Sequence, residues 1–189
     1  MRASAPTHLV PAPGLLARDR AALVVVDVQE AFRKAVDRFE EVAHRAGVLV
    51  AGARILHLPV IVTEQYPRGL GKTVPEVAAH LEGVPRLEKV VFSAAQAPGF
   101  DLAGRSQALV CGIETHVCVS QTVHDLLARG VEVHVAGDAV SSRSPQDREL
   151  GLSKMQRAGA LLTSSETALF ELLGRAGTEE FKQIQGLVK

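Results

Sequence analysis

The chain predicts an α/β fold: a three-layer α/β/α sandwich built on a six-stranded parallel sheet, Rossmann-like. Short apolar runs alternate with amphipathic helical patterns through nearly the whole sequence, and that alternation argues for a parallel sheet with helices on both faces. The runs are rich in β-branched residues and carry no polar alternation, as expected of strands buried on both sides. At 189 residues the chain is long enough for one domain with a real core.

The first strand is Ala21 to Val28, AALVVVDV, with Asp27 near its C-terminal end. Residues 36–58 read as one long amphipathic helix, which Pro59 stops. Val60 to Thr63 forms the second strand. Glu64 to Thr73 is a loop by its Pro and Gly content, and a weak helix covers Val74 to Leu81. The third strand is placed at Val90 to Phe92, with Lys89 at its front. The fourth is the apolar run Ala108 to Cys111, bounded by Gly112. A helical pattern follows it to Gly130. Val131 to Ala136 is the fifth strand. Ser144-Pro145-Gln146-Asp147 has the chemistry of a helix start, with Ser as N-cap, Pro at N1 and an acid at N3. That helix runs to Gly159. Ala160 to Thr163 is a sixth strand, and terminal helices cover 166–173 and 178–188. Residues 1–20, rich in Pro and Ala, read as an N-terminal arm lying over the domain or as disorder; residues 21–189 form the domain.

Twenty-one basic and 21 acidic residues give a formal net charge of +0. Such a balance attracts neither nucleic acid nor an anionic membrane. The N-terminus has no apolar run of signal-peptide or membrane-span length. Two cysteines, Cys111 and Cys118, make no disulfide framework and no C-x-x-C zinc pair, which suits a reducing, cytoplasmic location.

Chemistry concentrates in Ser106 to Leu127. Strand, Gly turn and helix put Cys118 in a first helical turn, at N3 if Thr115 is the N-cap. The positive end of the helix dipole there favours a thiolate. The alternative is that Cys118 is a small buried hydrophobe. Asp27 closes an apolar strand, so it must be hydrogen-bonded, paired or functional. Gln29, Phe32, Gln65 and Tyr66 follow strands one and two and lie near the same rim. His116 lines a pocket beside Cys118 or sits on a helix surface. Gly71-Lys72-Thr73 imitates a phosphate-binding loop, but Tyr66 stands where that motif requires Gly. No G-x-S-x-G or HExxH pattern occurs.

With Asp27, Lys89 and Cys118 in view, the chain resembles the isochorismatase-like hydrolase family, in its cysteine-hydrolase branch. The resemblance runs from about Ala21 to the C-terminus. It rests on VVVDVQEAF (24–32), TEQYPRGLG (63–71), LEKVVFSA (87–94), CGIETHVCV (111–119) and GDAVSSRSPQDRELGLSKMQRAGA (137–160). The segments at 63–76 and 179–189 are most like the isochorismatase domain-containing proteins within it. The resemblance implies the six-stranded sheet and an Asp27–Lys89–Cys118 catalytic triad. It also implies a cis peptide at Ile113–Glu114, aiming the N–H groups of Glu114 and Cys118 at an oxyanion. Nicotinamidases of the family hold a metal through T-x-D-x-H; here Gln65 and Pro67 follow Thr63 at those places, so no metal or cofactor is expected. Isochorismatases that cleave a vinyl ether lack the cysteine, so its presence favours carbonyl chemistry. The resulting expectation is a hydrolase of a C–N bond in a small amide. Its partners are a small-molecule substrate and, as relatives of this kind usually have, further copies of itself in a dimer or tetramer. A non-catalytic scaffold and a redox-sensing cysteine protein are the alternatives.

Overall fold

The computed structural model describes residues 12–189. Six strands form one parallel sheet: β1 (Ala21–Val26), β2 (Val60–Gln65), β3 (Arg86–Lys89), β4 (Gln107–Ile113), β5 (Glu132–Ser141) and β6 (Leu161–Thr163). Their spatial order is β3-β2-β1-β4-β5-β6. Strand order reverses between β1 and β4, and the crevice beyond the carboxyl ends of strands at such a reversal is where these sheets bind ligands.

The helices are α1 (Phe39–Ile55), the single turns α2 (Pro67–Leu70) and α3 (Pro75–Ala78), α4 (Ser120–Ala128), α5 (Pro145–Arg157), α6 (Ser165–Leu173) and α7 (Glu179–Val188). Side chains of α1, α6 and α7 cover one face of the sheet around Leu23, Val25 and Leu109. Val119, Val123 and Leu126 with Met155 of α5 cover the other, over Val24, Val26 and Val110. β1 and β4 are buried along their whole length, which explains their apolar sequences, broken only by Gln107 at the start of β4. Each such Val or Leu contributes about 1.5–3 kcal/mol, and Leu109→Ala would cost about 2–5 kcal/mol.

Helix starts follow their capping chemistry. The Ser144 hydroxyl accepts the Asp147 N–H at 3.1 Å, with Pro145 in the first turn; Ser164 and Thr178 cap α6 and α7 in the same way. The α1 pattern is shorter than the expected 36–58, and the expected helix at 74–81 is a single turn. The expected loop 64–73 contributes its first two residues to β2 and holds α2. β5 runs on past Gly137 because a register shift between Val110 and Gly112 lets its second half pair with the end of β4.

The main correction concerns the third strand. It is Arg86–Lys89, paired with Val62–Gln65, and Lys89 is its last residue rather than the residue before it. An edge strand tolerates the polar sequence RLEK. Val90, Val91 and Phe92 leave the sheet with exposed side chains, Val90 at 76%. Of the N-terminal arm, residues 12–20 pack on the domain: Leu16 and Ala17 are buried, and their N–H groups donate to Glu171 and Gln107 side chains. The part of the expected arm at residues 1–11 lies outside the described residues.

Candidate active site

β1 ends at Val26, and Asp27 turns out of it with φ +52°. Its carboxylate therefore sits at the reversal point, wholly buried. Oδ2 accepts from Lys89 Nζ at 2.6 Å. Oδ1 accepts from the Thr63 hydroxyl at 2.7 Å. The Cys118 thiol lies near enough to this carboxylate for each group to shift the titration of the other. The structure thus brings Asp27, Lys89 and Cys118 together from β1, β3 and the turn after β4. Lys89 reaches inward because it closes its strand, so the parallel β3 delivers it to the ligand-binding end of the sheet. Nζ donates further to Gln65 Oε1 at 2.7 Å, Phe92 O at 2.9 Å and Val91 O at 3.2 Å. The apolar run that resembled a strand supplies two backbone acceptors for this ammonium.

Gly112 permits the close approach of β4 to β1. Its φ is +127°, and a Cβ there would lie 2.0 Å from Val26 O. The Ile113–Glu114 peptide is cis. Thr115–Val119 then forms a π-helical turn, in which the N–H groups of Val117 and Val119 both donate to Glu114 O at 3.1 Å. Thr115 is not the cap; its hydroxyl is buried without a partner among the described residues. Thr122, one turn on, donates to Cys118 O at 2.7 Å and accepts the Ala94 N–H at 2.8 Å. This hydroxyl ties the Cys118 turn to the loop that holds Lys89. Sequence reading missed it; the available signal was a polar residue one helical turn after Cys118, at the spacing of Val119, Val123 and Leu126 on the buried face.

The electrostatics differ from the dipole argument. Burial pushes the Asp27 carboxyl above the usual range, opposed by Lys89, then Thr63 and Cys118. Burial, with the Asp27 charge next, pushes the Cys118 thiol up to about 12, against the pull of Lys89 and a Glu114 backbone hydrogen bond. Cys118 is 5% exposed, and desolvation of a thiolate outweighs what the helix start offers. The resting group is a thiol close to the Asp27 carboxylate.

The other expected site residues divide. His116 Nδ1 lies 2.9 Å from Ser142 Oγ, and Gly151 of α5 packs against the His116 backbone, where a Cβ would lie at 3.0 Å. Glu114 accepts from Arg143 N and Nε, both at 3.0 Å, so the end of β5 is clamped to the Cys118 turn. Gln29 has its amide committed to backbone partners. It is wholly buried, and its amide bonds the backbone of Gln65 and Gly71 at 2.6–3.0 Å, fixing the loop after β2. Phe32 is half-buried against the core. Gln65 holds Lys89 and donates to Val90 O. Tyr66 is exposed and, with Pro67, Arg68, Val90 and Val91, lines a cleft of about 460 Å³ that reaches Lys89. A cavity of about 860 Å³ lies at the opposite pole, around Leu16, Arg18, Leu56 and Arg105. Its size does not make it the site, because Cys118 and its buried partners are at the other end of the sheet. Among the described residues no three His, Cys, Asp or Glu side chains cluster as metal ligands, and no helix is long and apolar enough to cross a membrane.

Comparison with known proteins supplies the context. Residues 21–167 match the model of the isochorismatase domain. The chain is 42% identical to human isochorismatase domain-containing protein 2, over 95% of this chain and 88% of that one. Among solved structures, a Caenorhabditis elegans protein described as MAR1 ribonuclease superposes with a TM-score of 0.89 at 44% identity, covering 92% of each chain. YcaC from Pseudomonas aeruginosa, solved with hexane-2,5-diol and covalent acrylamide, superposes with a TM-score of 0.84 at 26% identity, covering 94% of this chain and 93% of that one.

Proposed function

This chain belongs to the isochorismatase family, whose membership supports a hydrolase-type function, and from that premise we propose that it is a cysteine hydrolase cutting a C–N bond of a small amide. The observation that carries the proposal is the convergence of three buried side chains, the Asp27 carboxylate with Lys89 Nζ 2.6 Å away and the Cys118 thiol beside it.

Asp27 takes the proton from Cys118 Sγ as the sulfur attacks the amide carbonyl. Because the resting group is a thiol, proton transfer accompanies attack rather than preceding it. The Glu114 and Cys118 backbone N–H groups receive the developing oxyanion. The tetrahedral adduct collapses, and the amine leaves with the proton held by Asp27. Water then attacks the thioester while Asp27 takes its proton. The acid departs, and the proton returns to sulfur. Lys89 keeps Asp27 ionised between these transfers. The scheme is written without metal or cofactor: Gln65 stands where the metal-binding pattern has Asp, and its side chain is bonded to Lys89. YcaC was solved with covalent acrylamide, a compound that captures nucleophiles through its vinyl carbon and leaves its amide intact. The enzyme works in the cytoplasm as a dimer or tetramer, in which the exposed Val90, Val91 and Phe92 are covered by another copy.

Turnover of a panel of small primary and secondary amides tests the reading, with Cys118→Ala and Asp27→Asn as controls. An RNA oligonucleotide belongs in the panel because the C. elegans neighbour is described as a ribonuclease. Amide hydrolysis lost in both variants supports the proposal. RNA cleavage without amide hydrolysis overturns it, and no turnover at all returns the chain to the scaffold alternative.

A further inference from the structure

We propose that Thr63 is a positioning residue for the base: its hydroxyl fixes the orientation of the Asp27 carboxylate and holds it in the ionised form. The inference rests on the reading of Asp27 as base. Thr63 lies in β2 and is wholly buried. It grips Asp27 twice. Its hydroxyl donates to Oδ1 at 2.7 Å, and its carbonyl accepts the Asp27 N–H at 3.2 Å. The second contact fixes the main chain where Asp27 leaves the strand with φ +52°.

Two titratable groups face this carboxylate, Lys89 from β3 and Cys118 from the turn after β4. Lys89 occupies Oδ2. The Thr63 donor on Oδ1 sets the remaining freedom, rotation of the carboxylate about its Cβ–Cγ bond. A hydroxyl donor bonds a carboxylate more strongly than the neutral acid. It therefore offsets part of the burial that favours protonation. Without it, Asp27 takes up a proton from solvent at higher pH, and the base form disappears earlier as pH falls.

Iodoacetamide provides a probe that needs no knowledge of the substrate. The Cys118 sulfur displaces iodide as its proton passes to Asp27, so labelling slows once Asp27 is protonated. The rate of Cys118 alkylation, read by peptide mass spectrometry across the acidic and neutral range, gives the midpoint. Thr63→Val removes the hydroxyl and keeps the branched shape. It should move that midpoint up by about half to one pH unit, with labelling below it slower by about three- to tenfold. Thr63→Ser should restore the wild-type midpoint, which a merely structural role for the side chain would not require. If Thr63→Val fails to fold, Thr63→Ala is read in the same way. Asp27→Asn separates the two claims. If it keeps the wild-type midpoint, Asp27 is not the base and the parent reading fails. If it abolishes the limb while Thr63→Val sits at the wild-type midpoint, only the Thr63 assignment fails.

Discussion

Lys89 Nζ lies 2.6 Å from Asp27 Oδ2, and neither side chain is exposed. The register of β3 on β2, which pairs Lys89 with Gln65, creates this contact two strands away from β1. A buried ion pair of this kind adds little stability over an apolar pair of the same shape, but losing one partner strands the other charge. In the proposed mechanism its value lies in opposing the burial that favours protonation of Asp27.

Lys89→Met should therefore destabilise the fold by about 3–5 kcal/mol and raise the acidic limb of the rate profile, because Asp27 loses the charge that opposes its desolvation. Asp27→Asn alone should lower turnover by orders of magnitude, and adding Lys89→Met should cost little more, since groups that act as a unit are non-additive. Denaturant melts and a double-mutant cycle check this. Losses that simply multiply, with an unmoved acidic limb, would separate Lys89 from Asp27.

The Cys118 thiol, pushed up to about 12 by burial and then by the Asp27 charge, should give no thiolate absorbance near neutral pH. Removing a negative neighbour favours the thiolate, so Asp27→Asn should lower the thiol pKa while reducing turnover. Lys89→Met should raise it. An ultraviolet titration of each variant reads the sign directly. A thiolate already present at neutral pH in the wild-type protein would mean that the base is not needed.

Gly112 should not accept a side chain. A Cβ would lie 2.0 Å from Val26 O, and φ is +127°, so Gly112→Ala should cost about 3 kcal/mol or more, at the severe end of single substitutions. A thermal melt within a degree or two of wild type would show that β1 and β4 can move apart here.

Asp27 and Cys118 were legible because each follows a wholly buried strand, where a polar group stands out. Lys89 was legible as a residue but misplaced, since Val90-Val91-Phe92 has strand composition while its job is to turn carbonyls toward Nζ. Gln29 was expected at a ligand and instead braces the loop after β2, because its amide matches the backbone groups of Gln65 and Gly71. Thr63 and Thr122 act through contacts between elements far apart in sequence. Those contacts depend on strand register and helix placement, which periodicity does not encode.

The exposed apolar strip Val90–Phe92 should be covered by a second copy. Light scattering at micromolar concentration should give a mass at least twice the 20.1 kDa of one chain, and a Val90→Asp, Phe92→Asp double variant should shift it toward the monomer. A monomeric wild-type protein would leave this strip to another partner.

Covalent catalysis by Cys118 can be caught by rapid-quench mass spectrometry during turnover of an amide. The substrate's acyl group should appear on the peptide carrying Cys118, labile to hydroxylamine, with no adduct or turnover in Cys118→Ala. Continued hydrolysis by Cys118→Ala, with no acylated peptide in the wild-type protein, would contradict it.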